Sequence, residues 1–135
     1  MYNNIIVAVA LDHSPTAGDA FELARLLGGD HAKITALHVI EDIPAYVAHQ
    51  LPEEVFVNRR IEAKAELTAE IGAYPDVETL VISGHAGRTI VEQAEKMNAD
   101  CIIISSHRPG LQDFFLGSTA NRVVRHAKCA VHVTR

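Results

Sequence analysis

Cysteine is scarce in this chain. There are two in 135 residues, Cys101 and Cys129, and they lack the close spacing of a disulfide framework. Each falls at an apolar strand pattern, which reads as a pair of free, buried thiols in a cytoplasmic protein. Positive charge is also short: 12 Lys and Arg stand against 17 Asp and Glu, for a net charge of -5. That argues against nucleic acid as the main partner, because phosphate backbones are met by basic faces. No apolar run approaches the roughly 20 residues that cross a bilayer. Met1-Tyr2-Asn3-Asn4 carries no basic segment ahead of its apolar stretch, which speaks against a secretory signal. The phosphate-loop pattern Gly-x4-Gly-Lys-Ser/Thr is missing. The eight histidines are scattered, with no i, i+4 pair beside carboxylates on one helix, so they do not read as a metal site. No repeat or low-complexity tract suggests a second domain.

What is present is an alternation. Ile5 to Ala10 reads as a strand buried on both faces, the mark of a parallel sheet. Ser14 and Pro15 suit an N-cap and a first helical position, and Ala17, Ala20, Phe21, Ala24 and Leu27 recur at helical spacing. Gly28-Gly29 stops that helix. Lys33 to Ile40 reads as a strand, Glu41 to Pro52 as a looser segment, and Glu53 to Ala73 as a helix. Then come a strand over Glu78 to Ser83, a turn over Gly84 to Gly87 and a helix over Arg88 to Met97. A strand over Asp100 to Ile104, a helix over Ala120 to Ala127 and a strand over Ala130 to Val133 complete the chain. Alternating strands and helices predict one α/β domain over 1–135, a doubly wound five-stranded parallel sheet. The residues leave two strand orders open, 2-1-3-4-5 and 3-2-1-4-5. Either places ligands at the carboxyl ends of the strands, where Asp12 follows the first strand and Ser105 to Arg108 follow the fourth.

The richest stretch is Ser105-Ser106-His107-Arg108-Pro109-Gly110 through Gly117-Ser118-Thr119. It runs from an apolar strand into a helix start. Unpaired N–H groups and partial positive charge gather there, and Gly117 with Ser118 suits a phosphate. Gly84 and Arg88 flank a second helix start of the same kind. Phe114-Phe115-Leu116 reads as core packing or a contact surface, and the last strand as a sheet edge.

With Asp12 and Ser14, Leu37-His38-Val39-Ile40, Gly84, and the Gly-Ser, helix, Arg-His-Ala-x-Cys, strand pattern of its last third, the whole chain resembles the universal stress protein family. The resemblance implies the order 3-2-1-4-5 of the adenine nucleotide alpha hydrolase-like fold and a cytoplasmic homodimer joined through the last strand. It also implies an ATP site, with Mg²⁺ near Asp12. The Val39 backbone would contact adenine and Asp12 would lie near the ribose and the metal, with Ala10 among the ligand-binding residues and Gly84 in contact from the edge of the crevice. Ser105, His107, Arg108, Gly117, Ser118 and Thr119 would lie about the phosphates. The nucleotide-binding branch shows Gly-x2-Gly-x9-Gly-Ser/Thr. Here Ser105 and Arg108 replace the two glycines, and the stretch up to Gly117 is one residue shorter. The variant Ser-His-Arg-Pro looks like a subgroup of small bacterial members, in which Arg108 would replace backbone donors with a charged fork. Slow ATP hydrolysis and a nucleotide-free adaptor are the competing functions.

Overall fold

The computed structural model describes residues 1–11, 17–106 and 116–135. Three strands have the hydrophobic content for a sheet interior. β1 (Asn4–Ala8), β2 (Lys33–Glu41) and β4 (Cys101–Ser105) are buried through most of their length. β3 (Glu78–Gly84) and β5 (Ala130–Thr134) have no fully buried residue and are half-exposed. The burial pattern matches the topology: one parallel sheet in the order β3-β2-β1-β4-β5, with the exposed strands at its edges. This is the 3-2-1-4-5 order.

Each central strand offers two apolar faces, and each face is covered by helices. Ile5, Val7, Ile34, Ala36, Cys101 and Ile103 pack against Phe21 and Ala24 of α1 (Ala17–Gly28). Leu67 of α3 (Glu53–Glu70) and Ile71 just beyond it complete that layer. On the other face, Ile6, Leu37, Val39, Ile102 and Ile104 meet two further helices. Ile90 and Ala94 come from α4 (Ala86–Lys96), and Ala120 and Val123 from α5 (Ser118–His126). The i, i+3 and i, i+4 spacing of these helical residues gives each helix one inward stripe. α4 and α5 also touch each other. A Cβ on Gly87 would stand 2.8 Å from Arg122 Cδ and 3.0 Å from Arg122 Cβ, so glycine allows the two helices to approach.

Several boundaries differ from expectation. β1 ends at Ala8, earlier than its apolar run, because the chain peels away from β2 there. α3 stops at Glu70, and its last turn closes through Ile71 N–H to Leu67 O and Gly72 N–H to Ala69 O. A single turn, α2 (Ala45–Ala48), lies within the looser segment. It buries none of its residues, so no apolar periodicity announces it. At the amino edge, Asp100 accepts the N–H groups of Asn3 at 2.7 Å and Asn4 at 3.0 Å, fastening β4 to β1. Among the described residues no helix is long and apolar enough to cross a membrane.

Burial pushes the Cys101 thiol up to about 11, so it stays protonated through the physiological range. The folded value is raised above the unfolded one. The thiol's contribution to stability is therefore complete below about pH 9 and is lost as pH climbs towards 11. The urea midpoint of the native protein is expected to fall between about pH 8 and pH 10.5 by more than that of Cys101→Ala. Equal falls in the two proteins would show that the thiol plays no part.

Candidate functional site

The chain leaves β1 in one direction to build β2 and β3, then returns across the sheet to build β4 and β5. The direction reverses between β1 and β4. Their helices lie on opposite faces, so a crevice opens at the carboxyl ends of these two strands. Four described segments border it.

The first is the end of β4. Ser105 closes the strand, and Ser106 after it is fully buried. Ser106 N–H donates to Thr134 O of β5 at 2.8 Å, and Ser106 O accepts from Gly117 N–H at 2.6 Å. One peptide neighbourhood thus joins β4, β5 and the start of α5.

The second is the start of α5. Gly117 is the N-cap, with no side chain to turn back on the helix, and the first turn holds no acidic residue. Gly117 O accepts from Asn121 N–H at 2.8 Å. The N–H groups of Ser118, Thr119 and Ala120 have no acceptor inside the helix. With the exposed Ser118 hydroxyl beside them, they form a donor cluster at the positive end of the dipole. Arg125 and His126 balance the other end. This set of groups fits a phosphate, and it needs no lysine.

The start of α4 differs. His85 caps it, accepting Arg88 N–H at Nδ1, 3.4 Å, and Glu41 Oε1 accepts Ala86 N–H at 3.3 Å. A carboxylate and an imidazole from this chain already serve that helix end. Gly84, the last residue of β3, has a packing reason for lacking a side chain: a Cβ there would come within 2.5 Å of Thr89 Oγ1. Arg88 is exposed.

The third and fourth segments are the ends of β1 and β2. Ala10 is exposed just past β1. Val39 buries its side chain in the α4–α5 layer. Its backbone is the relevant part. Val9 N–H donates to Leu37 O at 2.8 Å, so Leu37 faces β1, and two-residue alternation aims Val39 the same way. In a continued parallel ladder, Val39 N–H would donate to Val9 O. Instead Val9 O is met by His38 Nδ1 at 2.8 Å. A carbonyl oxygen can only accept, so Nδ1 carries the proton. His38 therefore takes the acceptor that the ladder would have used, while β1 departs and Val39's N–H and C=O face the crevice mouth.

Ala10, Val39, Ser105, Gly117, Ser118 and Thr119 thus all belong to this one edge of the sheet. Asp12, His107 and Arg108 lie outside the described residues. Among the described residues no group of three or more His, Cys, Asp or Glu could hold a metal ion. His38, Glu41 and Ser106 were not among the expected site residues. Their hydrogen bonds join residues far apart in the chain, His38 to Val9, Glu41 to Ala86 and Ser106 to Gly117 and Thr134, where sequence spacing carries no signal.

The model of the universal stress protein family matches residues 1–135. The chain belongs to that family. It is 32% identical to universal stress protein A homolog 2 of Coxiella burnetii, covering 99% of this chain and 95% of that one. The solved universal stress protein UspA from Lactobacillus plantarum superposes with a TM-score of 0.74 at 28% identity, over 99% of this chain and 98% of that one. A more distant fold neighbour is the universal stress protein from Archaeoglobus fulgidus, solved in complex with dAMP. Its TM-score is 0.63 at 19% identity, over 99% of this chain and 98% of that one.

Within this universal stress protein, the His38 arrangement has two measurable consequences. Nitrogen-resolved NMR is expected to show His38 protonated at Nδ1 when neutral. The Val39 amide is expected to exchange faster than the Leu37 amide and to slow in His38→Leu, where Val9 O becomes available to it. An Nε2 tautomer, or a Val39 amide protected in the native protein, would contradict the arrangement.

Proposed function

We propose that this universal stress protein binds ATP in the β1–β4 crevice and acts as a dimeric, nucleotide-dependent stress-response or signalling module. The observation that carries the reading is the start of α5, where no described side chain caps the helix and Gly117 is held to the end of β4 through Ser106. The dAMP complex of the Archaeoglobus fulgidus protein supports an adenine nucleotide as the ligand class.

In this reading the phosphates lie on the N–H groups and hydroxyls of Gly117, Ser118 and Thr119, with Ser105, His107 and Arg108 beside them. The adenine edge meets the Val39 backbone, near Ala10. Asp12 lies near the ribose and holds Mg²⁺ together with phosphate oxygens, a role suited to a carboxylate. The ion neutralises phosphate charge when bound. Gly84 has the weakest claim, because Thr89 already accounts for it. Two copies join through β5, which pairs with β4 on one side and ends the sheet on the other. Ser106 bonds to both Gly117 and Thr134, so occupancy of the crevice biases the same strand. The module works in the cytoplasm.

A specific observation favours a second reading. Ser105 and Arg108 stand where the nucleotide-binding pattern has glycines, as expected of a nucleotide-free dimeric adaptor. Hydrolysis is at most slow, with Asp12 and Arg108 the nameable candidates for orienting water and charge.

Calorimetry on nucleotide-stripped protein with ATP and Mg²⁺ decides between these. Saturable binding is expected, weakened at least tenfold in Gly117→Val, about 1.4 kcal/mol. Gly117 has φ -59° and ψ 156°, which valine also adopts, so the variant is expected to fold. No heat from a folded native protein would leave the adaptor reading in its place. Single-turnover ADP release measures any hydrolysis.

A further inference from the structure

α3 meets the core along a single stripe. Ala63 and Leu67 are its buried residues, and Ile71 continues the stripe beyond the helix. At roughly 100° per residue, Ile61 points roughly 160° away from Ala63, and Val57 is its neighbour one turn earlier. Both are open to solvent, Val57 at 52% and Ile61 at 60%. Leu26 of α1 and Val124 of α5 are exposed too, but neither has an exposed apolar neighbour of its size on its own helix among the described residues. β-branched residues form helices less readily than Leu, Lys or Glu, so helix formation gives no reason for valine and isoleucine on the outer face.

The outer stripe extends at both ends. Glu54, Val57, Ile61, Lys64 and Thr68 follow one another at steps of three and four residues, the seam spacing of packed helices. All five are exposed. The seam has an apolar centre, with an acid towards one end and a base towards the other. Neither Glu54 nor Lys64 has an ion-pair partner among the described residues.

Charge complementarity selects one occupant, a second copy of α3 running antiparallel. A two-fold interface pairs each residue i with j and each j with i. An axis level with Arg59 sets Val57 against Ile61 twice and Glu54 against Lys64 twice. One placement therefore covers the apolar centre and pairs both charges. Parallel helices would set Glu54 against Glu54 and Lys64 against Lys64. An axis level with Val57 would set Ile61 against Glu53. An axis level with Ile61 would set Glu54 against Thr68 and Lys64 against Asn58. An anionic lipid surface is disfavoured by charge, because α3 carries five Glu against two Arg and one Lys.

We infer that the outer face of α3 is a self-docking surface, on which two copies pack antiparallel with the two-fold axis level with Arg59. The helix axes lie about 8–10 Å apart, with Val57 and Ile61 interleaved between them. The contact is independent of the pairing proposed for β5. α3 lies over β2 and β3, whereas β5 is the opposite edge of the sheet. Where both contacts form, α3 joins β5-paired copies into tetramers or longer assemblies. Two crossing helices make a small interface, so the association is weak and governed by concentration.

Charge exchange tests the contact in the full chain. Glu54 and Lys64 are exposed, so their substitution leaves the core untouched, and thermal melts confirm folding. The native protein, Glu54→Lys, Lys64→Glu, the double variant and an equal mixture of the two single variants are sedimented in low salt, from micromolar to millimolar concentration. The native protein is expected to gain mass with concentration. Each single variant sets like charges together at both ends of the seam, and its association through α3 is expected to weaken about tenfold. The double variant and the mixture restore opposite charges across the seam, and both are expected to recover the native affinity. Both single variants keep a net negative charge, so attraction between oppositely charged proteins does not explain recovery in the mixture. A native protein whose mass ignores concentration, or single variants that associate as the native protein does, would overturn the α3 contact. Recovery in the double variant without recovery in the mixture would overturn the register. Single variants that fall back to dimers support both contacts. Single variants that fall back to monomers support α3 and overturn the β5 dimer, while ATP binding is judged separately by calorimetry.

Discussion

Burial of β1 and β4 on both faces is the constraint from which the rest follows. Ile5, Ile6, Ile102 and Ile103 are inaccessible to water, and they alternate between the two helical layers. A strand that must be covered twice forces one helix pair above and another below. The chain can supply both pairs only by winding outward from β1 and then returning to the other side. That return separates the helices over the carboxyl ends of β1 and β4. The crevice is therefore a product of topology before any polar residue is considered. The polar groups decide what the crevice can hold.

Two helix ends near that edge show how such groups decide. α4 and α5 both begin at the carboxyl edge, and both carry the unpaired donors of any helix start. At α4, Glu41 and His85 accept two of them, so an incoming anion would compete with a fixed carboxylate. At α5, glycine is the cap, and among the described residues no side chain accepts from the donors of the first turn. The difference is one of side-chain supply, not of helix geometry. It separates two sites that a motif search ranks together.

Much of the fold was legible in the sequence, because its signals are local. Cys101 to Ile104 is a continuous apolar run and Ile5 to Ala10 another, and a central parallel strand has few other ways to look. Gly117-Ser118 before a helical pattern marked the donor cluster for the same reason. The lost information is long-range. That His38 captures the Val9 carbonyl depends on β1 peeling away from β2, which the apolar run from Ile5 to Ala10 conceals. The capping of α4 by Glu41 depends on the β2–β3 pairing that brings Glu41 opposite Gly84. Gly87 reads as a turn residue, yet its reason is Arg122 on another helix. α2 buries nothing and so leaves no period to detect.

The bond from Gly117 N–H to Ser106 O has a consequence for how such chains vary. It fixes both ends of the intervening segment at the level of the backbone, with Ser106 also held by Thr134 O. The length between the ends is then a free variable. Closing a slightly shorter or longer span changes the entropy only logarithmically, by well under ~1 kcal/mol for a single residue. Insertions and deletions can therefore accumulate there without displacing β4 or α5. A chain one residue shorter than the family's pattern can keep the same strand end and the same helix cap.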